Sequence, residues 1–224
     1  MIDDDHGISA TITEVSWASH VWILIFMMQK FSHSELILRQ QGQTQAHLPF
    51  SVILNNIRSL YNVGSIFRTA DGAGIEKIWL CGITGFPPAG GISKTALGAE
   101  HSVPWEYKKD AREVIRDLKM QGYQIVMLEQ ARQSIPYQEF DPQTPVCLVL
   151  GNEIEGVEEG LLPDCDAAIE IEMSGATKNS LNVGVAFGIV AYEMRNKLIR
   201  RNNQDTRSKK QTITKFSKIQ DAIH

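Results

Sequence analysis

From about residue 50 the chain alternates short apolar runs with helix-forming stretches, and no other feature restricts its fold so strongly. The runs 51–57 (SVILNNI), 76–82 (EKIWLCG), 123–129 (YQIVMLE), 146–153 (VCLVLGNE) and 167–173 (AAIEIEM) read as strands. Between them, 62–74 reads as a short helix stopped by glycine. The segment 110–122 reads as an amphipathic helix with Val114, Ile115 and Leu118 on one face, an Asp start and a Gly stop. Paired prolines and glycines make 85–91 (GFPPAGG) a loop. Strands that alternate with helices imply an α/β domain built on a mostly parallel sheet.

In open parallel sheets ligands collect beyond the carboxyl ends of the strands. Three polar clusters fall there: Asn55-Asn56, Gly151-Asn152-Glu153, and the region Ser180 to Asn182. The last adjoins an apolar run in which Glu193 is the only charge between Val183 and Met194, the signature of a buried closing helix. Ser and Asn at a helix start commonly cap its free N–H groups. The same Ser-x-Asn, following a loop with Gly175 and Lys178, equally suits the floor of a pocket.

Composition narrows the chemistry. With 224 residues, 43% of them hydrophobic, one sizeable core with tails is the default. Three cysteines without CxxC spacing point to a reducing compartment, the cytoplasm, and Cys81 and Cys147 read as core thiols. Six scattered histidines give no metal-ligand cluster, so no metal is expected. No GxGxxG follows a strand and no GxxxxGK[ST] occurs, which leaves dinucleotide and P-loop readings weak. Net charge is −4, but from Arg195 onward nine Lys/Arg stand against two Asp/Glu, a net of +7, leaving −11 on the remainder. A basic tail on an acidic body suits either a nucleic-acid contact or a solvated terminus. The apolar stretch 16–28 is about 13 residues long, short of the ~20 that span a membrane. It follows three aspartates, unlike a signal peptide. No membrane association is expected, and Met27 or Met28 is a candidate start, with 1–26 an upstream extension.

Three blocks occur in order: NNIRSLYNVGSIFRTADGAG (55–74), LVLGNEIEGV (148–157) and IEMSGATKNSLNVGVAFGI (171–189). Together they closely resemble the three motifs of the SpoU/TrmH RNA methyltransferases of the SPOUT superfamily. The resemblance covers roughly residues 50–195. It implies a parallel sheet with helices on both faces whose C-terminal part forms a deep trefoil knot, a rare topology. The domains would be an N-terminal extension (1–49), partly disordered or helical, a SPOUT domain (50–200) and a basic tail (201–224).

The resemblance further implies an enzyme that takes a methyl group from S-adenosylmethionine to a ribose 2′-OH of tRNA or rRNA, working as a homodimer with its active site at the subunit interface. Asn62 and Arg68 match the asparagine and arginine of the first motif, Arg68 being the family's catalytic arginine. Asn56 matches that motif's first asparagine. Glu153 matches the glutamate of the second motif, and Ser180 and Asn182 the polar pair of the third. Leu150, Gly151, Ile171, Met173 and Leu181 fall where the family lines its cofactor pocket, largely with backbone. Departures occur around the third motif: Glu172 replaces a common proline, one residue is inserted before Ser180, and Gly184 stands where serine is usual.

Methyl transfer to a hydroxyl is an in-line displacement that rewards alignment. A guanidinium, with a pKa normally above ~12, is an unusual base. Arg68 then either acts as a base under the influence of a phosphate, or clamps phosphate and ribose while another group takes the proton. Two other readings stay open: a knotted enzyme that methylates an RNA base, and an RNA-binding protein that has kept the fold without catalysis.

Overall fold

A computed structural model describes residues 30–41 and 48–221. Residues 1–26 and both candidate start methionines lie outside the described residues. The chain divides into two units, 1–45 and 46–224. In the first, helix α1 (His33–Gln41) opens with a capping box. Ser32 Oγ accepts from the Glu35 N–H at 3.3 Å, and the Glu35 carboxylate accepts from the Ser32 N–H at 2.7 Å.

The second unit runs β1 (Leu48–Asn55), α2 (Leu60–Ala73), β2 (Ile75–Cys81), α3 (Gly90–Ala96), α4 (Ala99–Ser102), β3 (Trp105–Lys108) and α5 (Ala111–Met120). It continues with β4 (Gln124–Leu128), β5 (Ile135–Pro136), β6 (Val146–Leu150), a 3-10 turn at Glu159–Asp164, β7 (Ala167–Glu170) and α6 (Val183–Asp221). The seven strands form one sheet in the order β3-β2-β1-β6-β4-β7-β5, every pair parallel. The α/β expectation therefore holds.

Side-chain alternation along each strand sends residues to opposite faces. Phe50, Val52 and Leu54 of β1 join Val146, Leu148 and Leu150 of β6 under α2 and α6. Ile53, Cys147 and Val149 face the other way, against Val114, Ile115 and Leu118 of α5. Both faces are thus covered, as an all-parallel sheet requires. Helices α2 and α6 lie close in parallel register: a Cβ on Gly184 would sit 3.4 Å from that of Ser65, and one on Gly188 3.9 Å from Thr69 Cγ2. On the far side of α2, Gly64 brings its backbone against α3, where an added Cβ would lie 2.2 Å from the Ile92 carbonyl oxygen.

Some boundaries differ from the sequence pattern. The strand read over 146–153 stops at Leu150, because Gly151 to Gly156 fold into a turn closed by paired backbone bonds between Asn152 and Gly156. The strand read over 167–173 stops at Glu170. The 85–91 loop ends early, with Gly90 opening α3. The order in which strands are added reverses between β1 and β6, so a crevice is expected at their carboxyl ends.

Candidate active site

The loop after β1 enters α2 through Ser59, whose Oγ caps the Asn62 N–H at 3.3 Å. Beside it, the turn after β6 extends Glu153 toward the same helix end. The Glu153 carboxylate accepts from the backbone N–H groups of Arg58 (3.1 Å) and Ser59 (3.2 Å) and from Asn62 Nδ2 (2.9 Å). A carboxylate at a helix N-terminus also meets the positive end of the helix dipole. Partial burial raises the Glu153 pKa, but the bonds from Arg58, Asn62 and Ser59 outweigh it and hold the group below the ordinary carboxylate value.

Asn62 continues the chain of bonds: its Oδ1 accepts from Asn182 Nδ2 at 3.0 Å. The Oδ1 of Asn182 in turn accepts from the N–H groups of Gly184 (3.0 Å) and Val185 (3.3 Å), capping α6. Capping and site-building are therefore properties of one side chain, whose two amide ends face different partners. Three segments far apart in sequence meet along Glu153–Asn62–Asn182.

Next to this junction opens a cleft of about 380 Å³. It is lined by Leu150, Gly151, Glu153, Ile171, Met173, Ser180, Leu181 and Asn182. It thus gathers all five residues expected around the cofactor and three of those expected to be catalytic. Asn62 touches it through Glu153 and Asn182. Arg68 stands apart: it lies exposed on α2, does not line the cleft, and among the described residues its side chain has no hydrogen-bond or ion-pair partner.

Two further lining residues, Glu129 and Gln130, follow β4 and are absent from the sequence-based candidates. Glu129 Oε2 accepts from the Val157 N–H at 2.9 Å, and Gln130 Nε2 donates to the Asn179 carbonyl at 2.6 Å. They tie β4 to both loops that form the cleft. Their signal was available, since they too sit at the carboxyl end of an apolar parallel strand.

Glycine shapes the turn. Gly156 adopts φ +73°, and a Cβ there would sit 2.2 Å from Glu129 Oε2. A Cβ on Gly151 would meet the Gly156 backbone at 2.2 Å. Among the described residues no group of three or more His, Cys, Asp or Glu side chains is placed to hold a metal ion.

The model of one protein family, described as the SpoU rRNA Methylase family, matches residues 49–192. The chain belongs to that family. All three segments of the Glu153–Asn62–Asn182 junction fall inside the SpoU match. Over 146 residues it is 32% identical to a 23S rRNA (guanosine-2′-O-)-methyltransferase of Shewanella oneidensis, covering 65% of this chain and 58% of that protein. Among solved structures it resembles a TrmH/SpoU tRNA modifying enzyme of A. aeolicus, with TM-score 0.64 and 28% identity over 70% of this chain and 79% of that one. It also resembles the AdoMet-bound rRNA methyltransferase of Sinorhizobium meliloti, with TM-score 0.63 and 30% identity over 75% of this chain and 61% of that one. The chain spans about three fifths of the length of the curated relatives it matches.

Proposed function

We propose that this SpoU family member transfers a methyl group from S-adenosylmethionine to a ribose 2′-OH of tRNA or rRNA in the cytoplasm. The observation that carries the reading is the junction Glu153–Asn62–Asn182, which joins all three motif segments at the mouth of one cleft. The S. oneidensis relative, a guanosine-2′-O-methyltransferase, supports ribose rather than base as the acceptor.

The cleft fits the cofactor. Its volume lies within the usual range for small-molecule sites. Glu129, Glu153, Glu155 and Glu170 around it suit a ligand carrying a sulfonium cation. S-adenosylmethionine, when bound, supplies an electrophilic methyl group. The chain's own residues then do the orienting. Leu150, Gly151, Ile171, Met173 and Leu181 form the walls. Ser180 lines the same cleft. Glu153, Asn62 and Asn182 satisfy one another and act as positioning residues for the loops around them.

Arg68, with no carboxylate partner, is free to grip an RNA phosphate with its planar fork. In that role it holds the ribose in line, and the hydroxyl proton leaves to water. Because Arg68 lies outside its own chain's cleft, we assign the working unit as a homodimer in which the α2–α6 face meets its copy. Val185 (52% exposed) and Tyr192 (45%) give that face its apolar character. The loops around 148–153 and 171–182 are assigned to the trefoil knot that the family resemblance implies. The hydrogen bond from Gln130 Nε2 to the Asn179 carbonyl ties the second of these loops to the end of β4.

Mapping of ribose methylation on RNA from a deletion strain tests the proposal, with restoration by the wild-type gene. Loss of one 2′-O-methyl mark is expected. Loss of a base methyl group instead, or no change in any RNA, overturns it.

A further inference from the structure

We propose that the carboxyl edge of β2 and β3 is a stacking platform that takes single-stranded RNA flanking the target nucleotide. The inference rests on the RNA reading above and names how that substrate is gripped. Phe86, in the loop after β2, packs its ring 4.9 Å from that of Tyr107 and 6.3 Å from that of Trp105. These rings are not hidden: Phe86 is 45% exposed, Tyr107 37%, and neighbouring Ile83 67%.

The loop that presents them is firmly held. Tyr107 Oη donates to the Gly82 carbonyl at 2.9 Å. Thr84 Oγ1, buried, donates to the Leu54 carbonyl and accepts from the Ile57 N–H, both at 2.9 Å. Ile83 N–H donates to Asn56 Oδ1 at 3.1 Å, and the Asn56 carbonyl accepts from Asn152 Nδ2 at 2.9 Å. Asn152 lines the cleft. Two hydrogen bonds therefore link the aromatic loop to the cleft wall. Apolar rings fixed in water at a set place relative to a reaction site suit a flat ligand that stacks and departs.

Charge along the same edge points to a polyanion. At the ends of β1 and β3 stand Arg58, Lys108 and Lys109, exposed or half-exposed. Lys108 pairs with Glu106 at 3.1 Å, while the side chains of Arg58 and Lys109 have no ion-pair partner among the described residues. At the ends of β6, β4 and β7 stand Glu129, Glu153, Glu155, Glu158, Glu170 and Glu172, six carboxylates against the two cations Arg132 and Lys178. A phosphate chain is repelled from the second half and drawn to the first, where the rings are. Aromatic side chains beside a cationic track are how proteins hold single strands, because every base has a face to stack.

The test uses the full chain, a fluorescein-labelled oligouridylate of about a dozen nucleotides, and an RNA duplex of the same length. Wild type binds the single strand more tightly than the duplex. The double variant Phe86→Ala/Tyr107→Ala loses roughly tenfold or more in single-strand affinity, since each stacked base is worth about a factor of ten. S-adenosylmethionine binding by calorimetry stays unchanged, and the variant still melts cooperatively, at a temperature lowered by loss of the Tyr107–Gly82 bond and the ring contacts. Should the double variant fail to fold, Phe86→Leu, which keeps an apolar side chain but not a stacking face, weakens binding while Phe86→Trp preserves it.

Unchanged affinity in a folded variant, or no single-strand binding by wild type, overturns the proposal. So does a changed sedimentation coefficient with unchanged RNA affinity, which makes the face a contact between chains. Failure of the methyltransferase reading is seen separately, as absence of label transfer from S-adenosylmethionine to total RNA while ring-dependent oligonucleotide binding persists.

Discussion

Replacing Glu153 by Gln removes a charge and one acceptor while keeping the side chain's shape. Three donors now converge on that carboxylate: the Arg58 and Ser59 N–H groups and Asn62 Nδ2, at 2.9–3.2 Å. In the variant at least one of them faces an amide NH₂. Hydrogen bonds to a charged group are worth about 1.5–3 kcal/mol when buried, and the helix-dipole interaction adds about 0.3–1 kcal/mol. The site is partly open, so water replaces much of what is lost and the sum must be discounted. A net cost of about 1–2 kcal/mol follows, or roughly 2–8 °C in melting temperature for a domain of this size. The pH dependence has a definite sign. The folded pKa of Glu153 is depressed, so between the folded and unfolded values the unfolded state binds more protons and stability rises with pH. The advantage of wild type over Glu153→Gln is present above the unfolded value of about 4.3 and disappears as pH falls through the folded value. Thermal melts of both proteins from about pH 7 to about pH 3 measure it. Equal melting temperatures near neutrality, or a difference that grows on acidification, would show that the carboxylate does not hold the loop to α2.

Arg68→Ala should abolish methyl transfer while calorimetry finds S-adenosylmethionine binding nearly intact, since Arg68 does not line the cleft. Arg68→Lys should also largely fail, because a point charge does not replace a planar fork, and near wild-type turnover in either variant refutes the assignment. Gly156→Ala forces a side chain onto φ +73° and against Glu129 Oε2, so a loss of about 1–3 kcal/mol is expected, with weaker cofactor binding; an unchanged melt contradicts it. Burial pushes the Cys81 thiol up to about 12, the Cys147 thiol well above its usual value and the Cys165 thiol up to about 11. All three should resist a thiol reagent in the native protein and react in denaturant, and fast native labelling would count against this packing.

Strands buried on both faces were the most legible part of the chain. β1, β4 and β6 are buried on both sides and mostly apolar, so no face had to be guessed. The short edge strands were not legible. β3 has four residues, none of them fully buried, and its Trp105 and Tyr107 both meet the Phe86 loop. β5 has two residues, one of them proline. Helix α3 was hidden by its Gly90-Gly91 start, which reads as a breaker, and by having only two buried side chains.

At the site, the sequence showed which residue types gather but not how they divide the work. Ser180, Asn182 and Glu153 were all visible as polar residues at strand ends or at a helix start. Their roles depend on which atom faces which partner, and no periodicity encodes that. Asn182 spends its oxygen on the first turn of α6 and its nitrogen on Asn62. Asn62 spends its nitrogen on Glu153. In this arrangement an aspartate at 182 would still cap α6 but would present an acceptor to the Asn62 oxygen. Capping propensity alone therefore cannot explain why an amide stands there. The junction can, because only a side chain with an acceptor at one end and a donor at the other satisfies the helix and the first motif together.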